Sequence, residues 1–522
     1  MILSTFHSPA PRVTLINSFN QPYNNAIATA RTCYSAAGIV DTADVAAKPD
    51  LRDRIAASIY EAGHHTTLQH AHVQFGLENV SRHFIWSFLH SHPFYNSEQV
   101  SQRYVRVAAD QMAVPPLRGE ALSIYREALT MQMGAYEQMI GLLTPTVEQF
   151  YFDLFPHRRP KGGKAHALAR RWIPKKAQEV ARYLLPVATF AYLYHTVSLL
   201  TLLRYQRLCR QYDTPTETQL VVDQMVAAVL DQDPLLAKIL EESRPLEDTL
   251  EYQFWQGVQQ PPRSVAFRAE FDVDLAGHVS RLVSWKPDNE QLLAQAVREV
   301  LGLAQADLSD EAAVALVLDP RQNGYFGEAM NVTTLSKLTR TLHHPSYTFR
   351  KKLSHTADSQ DQRHRMTPGS RPMLTAYLTD DPDYITPVLI PHNRQAHAFY
   401  QETMDRSWAA INKLRALGAA DEYAAYLLPN AVSIRFTESG DLLSLHHKLR
   451  LRLCYNAQEE IFFASKDEAM QIAAVNPLIG RYLGAPCTLR HAAGTRPFCP
   501  EGDRYCGIPV WKMVVKDYER VL

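Results

Sequence analysis

The chain has little cysteine, no excess charge of either sign, and no glycine-rich nucleotide loop. Six cysteines among 522 residues are too few for a disulfide scaffold, and no Cys-x-x-Cys pair occurs. Lys plus Arg equals Asp plus Glu at 54 each, so charge gives no reason to expect long nucleic acid as a partner. Without a Gly-x-Gly-x-x-Gly or Gly-x₄-Gly-Lys-Ser/Thr loop, neither a Rossmann nor a P-loop domain is expected. Met1 to His7 lacks a basic region followed by an apolar core, so no signal peptide is expected and the cytoplasm is the expected compartment. One stretch, Tyr183 to Leu203, runs about the length of a membrane span without Asp, Glu, Lys or Arg. Pro186, His195 and several hydroxyl residues interrupt it, so a buried core helix is expected and a membrane helix is not.

That stretch also shows what the sequence does contain, because it occurs twice. Tyr183-Leu184-Leu185-Pro186 returns as Tyr426-Leu427-Leu428-Pro429, and the match continues without gaps. Leu199-Leu200 pairs with Leu442-Leu443, Arg207 with Arg450, Tyr212 with Tyr455 and Glu217 with Glu460. The second copy carries Arg435, Glu438 and Asp441, which weighs further against a membrane span. A weaker echo pairs Val13-Thr14 with Val279-Ser280 and Ser18-Phe19 with Ser284-Trp285, each start reading as a strand leading into an alanine-rich helix. The expected organisation is one repeat over residues 1–255, a linker over 256–264, and a second repeat over 265–522 with a cysteine-containing tail. β-Branched stretches mixed with long amphipathic helices predict α/β (α+β) domains, packed as a pseudo-symmetric pair.

The two halves carry complementary motifs. The first holds Gly63-His64-His65-Thr66-Thr67-Leu68-Gln69-His70, then Ser81-Arg82, His90-Ser91-His92 and Ser101-Gln102-Arg103-Tyr104. The second holds Ser354-His355 and, eight residues on from His355, Arg363-His364-Arg365; it ends with His447, Leu449-Arg450-Leu451-Arg452 and Ala457-Gln458-Glu459-Glu460. In order and spacing these resemble the flavin-dependent thymidylate synthases, whose pattern is Gly-His-x-Ser/Thr-x-x-Glu-His, a Ser-Arg pair, an Arg-His-Arg triplet and Ser-x-Arg-Tyr. Each half departs from it. His90-Ser91-His92 stands where the triplet belongs, Gln69 replaces a Glu, Met366 to Pro372 is not Ser-x-Arg-Tyr, Cys209 stands opposite Arg452, and the family's Asn-x-Arg flavin contacts are Asp441 and Leu443.

The resemblance implies two copies of this domain packed as a pseudo-dimer, and an FAD-dependent methyltransferase that converts dUMP to dTMP with a folate carbon donor. A reduced pyridine nucleotide is one candidate reductant, with the choice left open by the sequence, and the chain would assemble as a dimer of pseudo-dimers. The expected flavin contacts are His64, Thr66, Arg363, His364, Arg365 and His447; Ser101, Arg103 and Arg452 would hold the nucleotide. Arginine suits this work because its guanidinium binds phosphate in two places and keeps its charge. One composite site between the repeats would unite Ser101 and Arg103 with Arg363 and Arg452, leaving a depleted second site of His90-Ser91-His92, Met366 to Pro372 and Cys209. The alternatives are flavin-dependent modification of another pyrimidine nucleotide, or a nucleotide- and flavin-binding protein without catalysis. Residue by residue, the triplet also reads as a solvated charged face, Ser101 as a helix N-cap, and Arg450 or Arg452 as structural. Near the C-terminus Cys487, His491, Cys499 and Cys506 have the ligand types of a Cys₃His zinc site, with free thiols or a disulfide as the competing readings.

Overall fold

The structure, a computed structural model, describes residues 6–90, 94–159, 162–210, 213–256, 265–520 and 522. Most of the expected linker, residues 257–264, lies outside them. Two four-stranded antiparallel sheets share one topology. The first is ordered β1-β2-β4-β3, with β1 Arg12–Ser18, β2 His72–Ser81, β3 Tyr95–Gln99 and β4 Phe190–Ser198. The second is ordered β5-β6-β8-β7, with β5 Ser280–Trp285, β6 Ser346–Ser354, β7 Gly369–Ser370 and β8 Ser433–Asp441. Each repeat opens as expected, with β1 leading to the helix Pro22–Thr32 and β5 to the helix Asn289–Leu301. The ladders shift that weaker echo by one residue: Leu15 opposes Phe75 as Leu282 opposes Phe349, so Leu15 corresponds to Leu282 and Val13 to Ser280.

The uncharged stretch 183–203 is not a helix. It forms the inner strand β4, then the start of the helix Leu199–Arg207, capped by the Ser198 hydroxyl accepting from the Thr201 N–H at 3.2 Å. The deciding period is two: Ala191, Leu193, His195 and Val197 are buried, while Tyr192 and Tyr194 between them are exposed. Among the described residues no helix is long and apolar enough to cross a membrane.

The repeated Tyr-Leu-Leu-Pro segment forms the seam between the halves. Val187 N–H donates to Leu428 O at 2.8 Å and Ala188 N–H to Tyr426 O at 2.9 Å; reciprocally, Asn430 N–H donates to Leu185 O at 2.8 Å and Ala431 N–H to Tyr183 O at 3.0 Å. The side chains repeat the symmetry. Tyr183 donates its hydroxyl to Glu460 at 2.7 Å, and Glu460 also accepts from Ser354 Oγ at 2.7 Å. Tyr426 donates to Glu217 at 2.5 Å, and Glu217 accepts from Ser81 Oγ at 2.6 Å. These pairs satisfy polar atoms that burial would otherwise penalise.

Burial raises the Glu460 carboxyl from 4.5 to about 7, against the opposing pull of its Ser354 and Tyr183 hydrogen bonds. The folded chain therefore keeps a proton that the unfolded chain releases, and the stability linked to it is lost as pH rises from about 4.5 through 7. Glu460→Gln keeps the shape and removes the titration. Its stability relative to the parent is expected to improve from pH 5 to about pH 7 in urea unfolding and to level off above that; a pH-independent difference would refute the linkage.

Three cores result: one under each sheet, and a third shared by both repeats, in which the helix Gly119–Leu154 packs with the helix Arg394–Ala416. The two sheet cores differ at one spot. In the second repeat Lys351 Nζ lies 2.9 Å from Asp361, 3.3 Å from Glu438 and 2.7 Å from Glu468, and Lys448 reaches Asp361 at 2.9 Å and also Glu438. All five side chains are at most 1% exposed. The corresponding residues of the first repeat are Leu77, Phe88, His195, Tyr205 and Met225. There Phe88 packs 4.5 Å from the Tyr205 ring and 5.2 Å from His195, and Tyr205 OH meets His195 Nε2 at 3.2 Å.

Candidate functional site

The ionic cluster sits directly beneath the Arg363-His364-Arg365 turn. Asp361 ends the helix His355–Asp361, whose N-terminus Ser354 caps by accepting from Ala357 N–H at 3.1 Å. The triplet follows at once and docks on β3 of the other repeat. Arg363 Nη2 pairs with Glu98 at 2.7 Å; Arg365 donates to Asn96 Oδ1 at 3.3 Å and lies 5.1 Å over the Tyr95 ring. His364 Nε2 accepts from Arg452 Nε at 2.8 Å. Burial, with the nearby charges of Arg452 and Lys448, holds the His364 imidazole well below its ordinary pKa, so it stays neutral and can accept.

Above the triplet lies a cavity of about 660 Å³ lined by both repeats, within the size range of ligand sites. The second repeat supplies Arg363, His364, Arg365, Ser444 and His447; the first supplies Gln69, Tyr95, Thr196 and Arg204. Arg204 is the repeat counterpart of His447, so aligning the two copies would have found it. His64 and Thr66 are exposed and do not line the cavity; their turn, His65–Gln69, reaches it through Gln69. Asp441 caps the helix Leu442–Arg452 by accepting from Ser444 N–H at 2.7 Å, and Leu443 lines the cavity wall.

A second cavity, of about 370 Å³, also lies between the repeats and contains both Arg103 and Arg452. Arg103 donates to Glu179 at 2.7 Å and across the seam to Asn456 O at 2.8 Å. Burial alone would raise the Glu179 carboxyl, but Arg103, Lys176 and Arg182 outweigh it and hold it well below the usual range. Ser101 lies at the start of the turn: its Oγ accepts from Arg103 N–H at 3.2 Å and its carbonyl from Val105 N–H at 2.9 Å. No helix follows, so Ser101 caps a turn.

Arg452 connects the two cavities. It lies on a helix, its Nε on His364 and its Nη2 on Gln360 O at 3.1 Å. Burial, against the pull of Asp361 and helped by Arg363 on one side and Arg103 on the other, lowers its pKa to about 10. Among the described residues no carboxylate pairs with it. Arg450 points elsewhere, donating to Glu328 O at 3.1 Å.

The expected depleted second site falls partly outside the described residues. Met366 and Thr367 line the first cavity, Arg371 pairs with Asp358 at 2.9 Å over the Phe436 ring, and Leu374 N–H donates to Asp213 at 2.7 Å. Cys209 is buried, and Ser91, His92 and the His90 side chain lie outside the described residues.

The expected zinc ligands were Cys487, His491, Cys499 and Cys506. Among the described residues no group of three or more His, Cys, Asp or Glu is placed to hold a metal. His491 packs edge-on against Phe498 at 4.7 Å, while Cys454 joins Cys487, Cys499 and Cys506 around one small closed space. Burial pushes the Cys454 and Cys487 thiols up to about 12, which keeps them protonated and slow as nucleophiles. Cys33 alone is exposed. A thiol reagent at pH 8 is therefore expected to find one fast thiol, lost in Cys33→Ser, and several rapid thiols would contradict this packing.

The sequence comparisons agree with the doubled architecture. The family described as "Thymidylate synthase complementing protein" matches residues 14–235 and again 281–478. A flavin-dependent thymidylate synthase of Saccharolobus solfataricus is 24% identical over 220 residues, covering 40% of this chain and 78% of the relative. One from Geobacter sulfurreducens is 29% identical over 170 residues, covering 32% and 70%. Among solved structures, a UMP/dUMP methylase from Streptomyces cacaoi is 16% identical and covers 45% of this chain and 95% of its own, with a TM-score of 0.32. With both repeats matched, the chain belongs to the flavin-dependent thymidylate synthase family, that of the thymidylate synthase complementing proteins.

Proposed function

We propose that the chain methylates C5 of dUMP, with a folate as carbon donor and FAD as redox cofactor, at one composite site between its repeats. The observation that carries this is Arg452: a guanidinium with no carboxylate partner among the described residues, at the junction of two cavities, between Arg363 and Arg103. The larger cavity fits a flavin dinucleotide. Its cations suit a pyrophosphate, and its neutral His364 and His447 suit the edge of a heteroaromatic ring. Bound there, the flavin would supply the hydride that completes the methyl group. Arg103 and Arg452 would fix the nucleotide phosphate, and Arg363 and Arg365, braced on β3, would orient the cofactor. His64 and Thr66, exposed on the surface, would meet a second copy of the chain, as in a dimer of pseudo-dimers. The test is conversion of dUMP to dTMP by the purified chain with FAD, methylenetetrahydrofolate and a reduced pyridine nucleotide. Product that requires all three supports the reading. Tight flavin and dUMP binding without product would favour a binding protein, and turnover only with another pyrimidine nucleotide would reassign the substrate.

A further inference from the structure

The second cavity holds more positive charge than one phosphate uses. Seven Arg and Lys side chains line it against three Asp and Glu. Arg103 and Lys176 share Glu179, and Arg504 lies 3.5 Å from Glu501. Arg452 is assigned to the nucleotide phosphate and Arg520 donates to Leu522 O at 3.1 Å; of the other two, Arg158 and Lys175, neither has a carboxylate partner among the described residues.

Both are held against aromatic rings instead. The Arg158 guanidinium lies 3.9 Å over the Phe155 ring and donates to Tyr151 OH at 2.6 Å. The Lys175 ammonium lies 5.7 Å from the Tyr104 ring and 5.9 Å from Trp172. Ring faces attract these cations without neutralising them, so their charge remains available to an anion. The two groups of cations are linked through one residue: Arg103 lies 5.5 Å over the same Tyr104 ring. The Arg103 and Lys175 charges are therefore no farther apart than those two distances together allow. A multiply charged chain can span that gap.

We propose that the Arg158–Lys175 mouth of this cavity is a second anion site, which takes the multiply charged tail of a ring-bearing ligand. The inference rests on the proposed function only in placing a nucleotide phosphate at Arg103 and Arg452. Two ligands present this chemistry: a nucleoside di- or triphosphate, and a folate with an oligo-γ-glutamate tail.

The experiment is calorimetric titration of the FAD-loaded full chain with two series: dUMP, dUDP and dUTP; and mono- and triglutamyl tetrahydrofolate. The longer member of one series is expected to bind at least tenfold tighter than the shorter. In Arg158→Met/Lys175→Met, which preserves the aliphatic packing on the rings, that advantage is expected to vanish. A gain in the nucleotide series assigns the tail to polyphosphate, and a gain in the folate series assigns it to oligoglutamate. No gain in either series, or a gain that survives in the double variant, overturns the site. Each single variant is measured alongside to separate charge loss from misfolding. The comparison needs no turnover, so it stays readable even where the methylation assay fails, and that assay's failure counts against the proposed function alone.

Discussion

Arg452→Ala is expected to lower dUMP affinity by about a hundredfold or more and to erase any nucleotide-induced change in the flavin spectrum. The magnitude follows from losing two charge-assisted hydrogen bonds to a phosphate, about 1.5–3 kcal/mol each. The substitution also removes the donor on His364 Nε2, so the triplet and the nucleotide end lose their physical connection. Arg452→Lys keeps a charge but cannot serve both His364 and a phosphate with a planar fork, so partial recovery is expected, within about tenfold of the parent. Thermal unfolding measured in parallel separates lost binding from lost folding. Parent-like dUMP affinity in Arg452→Ala would show that Arg452 does not face the ligand.

Lys351→Met is the second large effect. Its ammonium is the common partner of Asp361, Glu438 and Glu468, all within 3.3 Å and essentially unexposed. Removing one partner from a buried ionic cluster costs about 3–5 kcal/mol, because the carboxylates left behind cannot be rehydrated. A matching fall in the unfolding free energy is expected, together with weaker FAD binding, since Asp361 lies two residues before Arg363. The fold itself does not require this cluster: the same spot in the first repeat is filled by Leu77, Phe88, His195, Tyr205 and Met225. The ionic version occurs in the repeat whose turn carries Arg363-His364-Arg365. That pairing assigns the cluster to holding the turn in place. A Lys351→Met chain with parent-like stability would rule that out; lost stability with unchanged FAD affinity would confine the cluster to the fold.

The duplication was legible because Tyr-Leu-Leu-Pro and its flanks repeat without gaps, and the mixed α and β class followed from composition and periodicity. The spacing of Arg363-His364-Arg365 from Ser354-His355 was legible through its resemblance to the family's pattern; the structure explains it by the strand-to-helix turn that begins at Ser354. What one sequence could not give were contacts made across the seam. Glu98 and Asn96 as partners of the triplet, and Asn456 as partner of Arg103, come from distant segments brought together by the seam. The uncharged stretch 183–203 misled because apolar content was weighed ahead of its two-residue alternation. In the C-terminal tail, spacing pointed to His491, yet the helix Pro486–Ala492 turns that ring toward Phe498 and Cys454 approaches from another element.

The central claim is a single flavin and nucleotide site built from both repeats, and the visible absorption spectrum of the purified full chain tests it most directly. Titrated with FAD and then with dUMP, the parent is expected to bind flavin and to shift its absorption bands on adding dUMP, with the shift absent in Arg452→Ala. A chain that binds no flavin at any concentration, or whose flavin spectrum ignores dUMP while the nucleotide still binds, would contradict the composite site.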